Sequence, residues 1–247
     1  MEIRPVATFR SPFGEKFGIP RQSGVAGEVP GRIVFTPEFR DPSALRGLED
    51  FDYLWLIWEF SADRPSPEMP DGALPPSGRG PGKFRPTVRP PRHGGNGRIG
   101  VFASRSPFRP NPLGLSCVRL DRIEWDGAEG PVIHVRGADL MDGTPIHDIK
   151  PYVRYADSRP DARSGFVDDT AWQTLEVVFP ADTPFGEEMR EALRDVLAQD
   201  PRPRYHDDPG KTYGMVFGGK DVRFRVEGGT LFVTGFGEPH PENDKNK

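Results

Sequence analysis

Two short stretches of this chain carry side chains able to grip or deprotonate a charged ligand. In ADLMDGTPIHDIKPY (138–152), Asp139, Asp142 and Asp148 lie on a turn-rich segment whose Asp-Gly and Thr-Pro pairs fix local geometry. A carboxylate held there can bind a cation or take up a proton. In RSPFRPNPLG (105–114), three prolines stiffen the backbone around Arg105, Arg109 and Asn111, which lowers the entropy lost when those side chains close on a ligand. Together the two stretches predict a pocket that offers both carboxylate and guanidinium, with Asp139 and Asp142 as candidates for proton transfer.

The charge pattern around them is one-sided. From Arg79 to Arg109 there are eight Lys/Arg and no carboxylate, and the acid-free stretch runs from Gly72 to Leu120 in a chain of net charge −4. A merely solvated surface interleaves the two signs. Gathering one sign in one place focuses a positive potential and points to an anionic partner. Other motifs fall away on context. GNGRIG (95–100) spells a dinucleotide-binding fingerprint, but PPRHG precedes it and Pro107, Pro110 and Pro112 follow, where no helix can run. Gly218-Gly219-Lys220 reads as a hairpin turn. The five His lack metal-ligand spacing, and the lone Cys117 reads as a small core side chain, so no metal or cysteine chemistry is expected.

The elements that must position these residues are mainly β. The chain has 247 residues, 35% hydrophobic, with 17 Phe and 4 Trp for a core and 29 Gly plus 29 Pro for turns. Strands are predicted over 2–9, 32–36, 53–60, 98–104, 115–125 and 132–136, with a short helix over 44–50. YLWLIWEF (53–60), apolar at almost every position, reads as a strand covered on both faces. Residues 63–83, rich in proline and poor in large apolar residues, read as a mobile loop. A linker over 157–169 separates a first domain (1–156) from a small α+β unit (170–238) with a helix over 184–199 and three strands, before a frayed tail (239–247). One cysteine excludes an internal disulfide, and the absence of a leader or long apolar run predicts a soluble cytoplasmic protein.

Taken as strings, KFGIPRQSG (16–24), LRGLEDFDYLW (45–55), RPTVRPPRHGGN (85–96), GVFASRSPFRPNPLG (100–114), DLMDGTPIHDIKPY (139–152) and DPRPRY (200–205) closely resemble the TsaA-like, TrmO-type tRNA methyltransferases. The match spans nearly the whole chain. It implies a β-barrel S-adenosylmethionine-binding domain with a small C-terminal α+β domain, a homodimer, and methylation of N6-threonylcarbamoyladenosine at position 37 of tRNA. By motif position it places cofactor contacts on Ser23, Gly24, Val25, Ser61, Ala62, Arg105, Cys117, Ala138, Asp139, Leu140 and Met141. Ser61 stands where family members often carry His, and the loop over 63–83 is longer than is usual for them.

The acceptor sits in a single-stranded loop, the part of RNA that a protein reads base by base, with phosphates on either side. Arg85, Arg89 and Arg92 are then expected to meet phosphates, and Arg109 and Asn111 the modified base or its carboxylate. Arg202, Tyr205 and Lys211 would dock tRNA on the C-terminal unit, which is expected not to be needed for cofactor binding. Methyl transfer would be a direct in-line displacement without a metal. The competing classes are a non-enzymatic RNA-binding module and a methyltransferase of the same fold acting on another small acceptor.

Overall fold

The computed structural model describes residues 3–60, 84–89, 97–168, 173–202, 208 and 210–239. In chain order its strands are β1 (Ala7–Arg10), β2 (Pro30–Phe35), β3 (Tyr53–Glu59), β4 (Thr87–Val88), β5 (Ile99–Gly100) and β6 (Leu113–Glu124). They continue with β7 (Val132–Arg136), β8 (Pro145–Pro151), β9 (Glu176–Val178), β10 (Tyr213–Phe217), β11 (Lys220–Glu227) and β12 (Thr230–Gly237). The helices are α1 (Arg154–Asp157) and α2 (Glu187–Ala198).

Six strands close an antiparallel barrel in the order β1-β2-β7-β6-β3-β8, with β8 returning to pair with β1. Closure leaves no free edge. The interior is filled by Phe9, Ile33, Leu54, Leu56, Val118, Ile133 and Ile146, contributed by alternate positions of the strands. Along β3, Leu54, Leu56 and Trp58 are buried while Tyr53 is exposed and Trp55 and Ile57 are half-buried. The expectation of a strand covered on both faces is therefore corrected. The outward side chains of β3 make a half-exposed aromatic surface with Tyr152, and the Trp55 indole donates to the Asp157 carboxylate (3.0 Å).

Three other local readings differ. β8 was expected to be turn, because its two prolines and the polar His147, Asp148 and Lys150 mask a strand that pairs on both sides. The stretch 98–104 holds a two-residue strand and then a single 3-10 turn, Val101–Ala103, and 44–50 holds two 3-10 turns in place of a helix. Gly218 and Gly219, at φ +55° and +75°, form the β10–β11 hairpin turn.

The C-terminal sheet, in the order β10-β11-β12-β9, packs against α2 through Leu193, Val196 and Leu197. Its core is not self-contained. Phe13, Ala26 and Val29, all at 0–1% exposure and all from the segment between β1 and β2, belong to the same cluster. The N–H groups of Gly218 and Val216 donate to the Pro12 carbonyl (2.8 Å) and the Glu15 carboxylate (2.9 Å), and the Glu28 N–H donates to Asp195 (3.1 Å). Arg136, 18% exposed, joins Asp121 on the barrel (3.0 Å) to Glu188 on α2 (2.6 Å). The loop predicted over 63–83 and the tail from residue 240 lie outside the described residues.

Candidate functional site

One end of the barrel opens into a cavity of about 500 Å³, within the ordinary range of small-molecule clefts. Four separate parts of the chain build its wall: 16–22 before β2, Trp58 and Phe60 at the end of β3, 104–115 leading into β6, and 139–144 between β7 and β8. Both stretches singled out by residue type therefore meet at one site.

Asp139 is the most buried charge on that wall. β7 ends at Arg136, and Gly137 turns the chain at φ +76°, where a side chain would be strained. Gly137 donates its N–H to the Val29 carbonyl (2.9 Å) and accepts from the Gly24 N–H (2.8 Å), with Gly24 itself at φ +79°. Two left-handed glycines thus lock the 23–29 segment against 137–139. Burial raises the Asp139 carboxyl above the ordinary carboxylate range, opposed by hydrogen bonds from Ser116 and from its own and the Ser23 N–H, and by the Arg105 charge.

Behind Asp139 runs a chain of hydrogen bonds that residue-type reasoning missed. The buried Trp58 indole donates to Ser116 Oγ (2.9 Å), and Ser116 Oγ donates to Asp139 Oδ1 (2.5 Å). Ser116 is 1% exposed and faces the barrel interior among apolar neighbours, so its hydroxyl has no water to fall back on. Trp58 reaches it because residue 114 is Gly: a Cβ there would lie 2.2 Å from the indole ring. Gly114 and Ser116 interrupting the strand LGLSCV on its inward side was the available signal. Phe60 packs on Trp58 at 4.4 Å between ring centroids.

The proline-stiffened loop is braced from within. Ser104 and Ser106 hydroxyls accept from the N–H groups of Ser106 (3.2 Å) and Phe108 (3.4 Å), and Arg109 Nη1 donates to the carbonyls of Ser104 (3.0 Å) and Ser106 (3.3 Å). Arg105 reaches across the cavity to the Gln22 side-chain oxygen. Arg105 and Arg109 both line the wall.

The predicted residues sort as follows. Arg105, Arg109, Asp139 and Met141 line the cavity. Ser23, Gly24, Val25, Ala138 and Leu140 form the locked segments just behind it, and Ser23 Oγ accepts from the Cys117 N–H (3.1 Å). Cys117 is half-buried on the outer side of β6, and burial and Asp157 push its thiol up. Asp142 is not on the wall: its carboxylate accepts from the Ser11 N–H (3.0 Å) and pairs with Arg10 (3.5 Å), fixing a turn. Asn111 is exposed and off the wall. Arg85 and Arg89 are exposed on and beside the β4–β5 hairpin, whereas Arg98 staples that hairpin through Thr87. Arg202 forms a two-pronged pair with Asp200 (2.8 and 2.9 Å) and is 14% exposed. Lys211 is exposed, 5.4 Å from the Tyr213 ring centre. Ser61, Ala62, Arg92 and Tyr205 lie outside the described residues. Among the described residues no cluster of three His, Cys, Asp or Glu offers a metal site, and no helix is long and apolar enough to cross a membrane.

Comparison with known proteins extends from end to end. The family model for the tRNA-methyltransferase O N-terminal domain matches residues 8–158, and that for the TrmO C-terminal domain matches 176–237. The tRNA (adenine(37)-N6)-methyltransferase of Escherichia coli (strain K12) is 36% identical over 235 residues, covering 91% of this chain and 93% of that protein. A Pseudomonas aeruginosa protein, provisionally named an S-adenosylmethionine-dependent methyltransferase, is 38% identical over 234 residues, covering 90% of this chain and 91% of its own. The crystal structure of TrmO from Pseudomonas aeruginosa superimposes with a TM-score of 0.71 at 32% identity, covering 96% of this chain and 97% of that one.

Proposed function

The chain belongs to the tRNA-methyltransferase O family, and we propose that it transfers a methyl group from S-adenosylmethionine to N6 of adenosine 37 in tRNA, with the threonylcarbamoylated base as acceptor. The observation that carries this reading is the placement of a half-buried, desolvated carboxylate, Asp139, on the same cavity wall as Arg105 and Arg109. S-adenosylmethionine has a sulfonium and an ammonium beside a carboxylate, and the wall offers a partner for each sign. Trp58, Phe60, Leu113 and Leu115 supply apolar surface for the rest. When bound, the cofactor supplies an electrophilic methyl group.

The residues of this chain then do the positioning. Asp139 holds positive charge at a fixed point, and its raised affinity for protons makes it the candidate, in preference to Asp142, for taking the proton that the acceptor nitrogen loses. Arg105, tied to Gln22 across the opening, grips carboxylate and excludes water. The backbone of Ser23–Val25 and Ala138–Met141 forms the cradle. Arg85 and Arg89 would meet phosphates from the acid-free face.

A homodimer is part of the same reading. Tyr53 at 44%, Leu115 at 53% and Tyr155 at 88% exposure leave apolar side chains open on and beside the outer face of β3 and β6. Leu115 also lines the cavity, so a second copy seated there would border the site.

The decisive experiment incubates the protein with labelled S-adenosylmethionine and tRNA with or without the threonylcarbamoyl group, followed by nucleoside analysis. Label is expected on N6 of the threonylcarbamoylated adenosine. Cofactor binding without label in tRNA refutes the acceptor and favours another substrate; no cofactor binding refutes the enzyme.

A further inference from the structure

Two aromatic rings beside the cavity stay open to solvent, with no partner that buries them among the described residues. Phe102 is 71% exposed and Phe84 is 48% exposed, with centroids 6.3 Å apart and planes inclined by 31°. Large apolar side chains held out in water in pairs mark a contact surface.

Their support is rigid. Phe102 sits on the 3-10 turn Val101–Ala103, anchored by Val101 at 1% exposure and closed by Ser104, whose N–H (3.1 Å) and hydroxyl (2.8 Å) both donate to the Val101 carbonyl. The Val101 N–H donates to the Pro86 carbonyl (3.0 Å) and the Arg85 N–H to the Phe108 carbonyl (3.1 Å), tying the turn to the β4–β5 hairpin. A ring on such a base loses little freedom on binding.

The surroundings are cationic. The Arg109 guanidinium lies 5.9 Å from the Phe102 ring centre and the Arg85 guanidinium 4.4 Å from that of Phe108. No carboxylate occurs between Asp71 and Asp121. Ser104 and Arg109, each bonded to this turn, line the cavity. Rings flanked by Arg on an acid-free surface are the composition that takes up unpaired bases along a phosphate backbone.

We propose that Phe102, with Phe84, is a stacking platform for an unpaired base of the RNA substrate next to the base that enters the cavity. This rests on the RNA-methylating reading of the cavity.

The test uses Phe102→Ala, Phe84→Ala and Phe102→Trp in the full chain, with tRNA affinity measured across salt concentration, S-adenosylmethionine affinity by calorimetry, and oligomeric state by sedimentation. Phe102→Ala is expected to weaken tRNA binding by about 5- to 150-fold, the usual loss for one stacked base. Phe102→Trp should restore it. The salt slope should not change, because no phosphate contact is lost, whereas Arg89→Ala should shallow it by about one unit. Cofactor affinity should equal wild type in every variant. Unchanged tRNA affinity in both alanine variants overturns the platform, and so does dissociation of an oligomer on Phe102→Ala, which makes the ring a protein contact. Wild-type protein without tRNA affinity overturns the RNA reading itself, before any variant is compared.

Discussion

Replacing Ser116 with Ala should be far more damaging than the loss of one hydroxyl suggests, and replacing its partner Asp139 with Asn should not. Ser116 sits at 1% exposure between the buried Trp58 indole, from which it accepts (2.9 Å), and the half-buried Asp139, to which it donates (2.5 Å). Ser116→Ala leaves an indole N–H without an acceptor, at about 1–3 kcal/mol, and removes a bond to a charged group, at about 1.5–3 kcal/mol. The sum, about 2.5–6 kcal/mol, corresponds to a fall in Tm of roughly 5–24 °C for a chain of this size. Asp139→Asn keeps an oxygen for Ser116 and removes a desolvated charge. The sign follows from linkage. Burial raises the Asp139 pKa in the folded state, so its contribution to stability is present at acidic pH and is lost as pH rises through that raised value. At neutral pH the desolvated carboxyl therefore opposes folding, and the Asn variant should match or exceed wild type in Tm by scanning calorimetry. It should nevertheless bind S-adenosylmethionine at least about 30-fold more weakly, since truncating one partner of a buried charge pair costs about 2–5 kcal/mol. A Ser116→Ala protein within 1 kcal/mol of wild type, or an Asn variant that is both less stable and fully competent for cofactor, would refute the network as described.

Gly114→Ala should displace the Trp58 ring, whose nearest atoms would stand 2.2–2.6 Å from the new methyl; about 1–3 kcal/mol of stability should be lost together with cofactor affinity, read by melting and calorimetry on one sample. A chain ended near Asp161 should lose S-adenosylmethionine affinity, not only tRNA methylation, because Phe13, Ala26 and Val29 would lose the core that covers them; a folded truncate with wild-type affinity would sink this expectation.

The pocket was legible in the sequence through residue type and backbone stiffness. Arg105, Arg109 and Asp139 announce themselves because charge beside Pro and Gly has few structural uses. Asp142 carries the same signal and holds a turn instead, since a carboxylate next to Gly is equally suited to capping backbone N–H groups such as that of Ser11. Trp58 and Ser116 were hidden because a tryptophan in an apolar run and a serine in a strand look like core and surface until the barrel closes them onto one another. β8 was hidden for a related reason: a strand that closes a barrel is defined by neighbours far away in sequence, and of its polar residues Lys150 pairs with Asp148 (2.8 Å) while His147 meets Glu59 on β3 (3.3 Å). The Arg202–Asp200 pair was hidden as well, because basic composition does not reveal which rotamer brings a carboxylate two residues away into reach.

The division of the chain into two units is where sequence composition and packing disagree most usefully. A linker-like stretch follows Tyr155, yet the segment between β1 and β2 belongs to both units at once. One side of it, Phe13, Ala26 and Val29, completes the C-terminal core. The other side, Ile19, Pro20, Arg21 and Gln22, lines the cavity, and Ser23 and Gly24 reach Cys117, Asp139 and Gly137. Any shift of α2 and its sheet must therefore move the wall that holds Arg105 through Gln22. Arg136 reinforces the link, because Asp121 and Glu188 on opposite sides of the junction share its guanidinium. A small sheet that only docked substrate would need no buried side chains from the barrel's own loop. The packing instead makes the C-terminal unit part of the cavity's scaffold, so that any displacement of that unit and the positions of the groups around Asp139 are mechanically joined through residues 12–29.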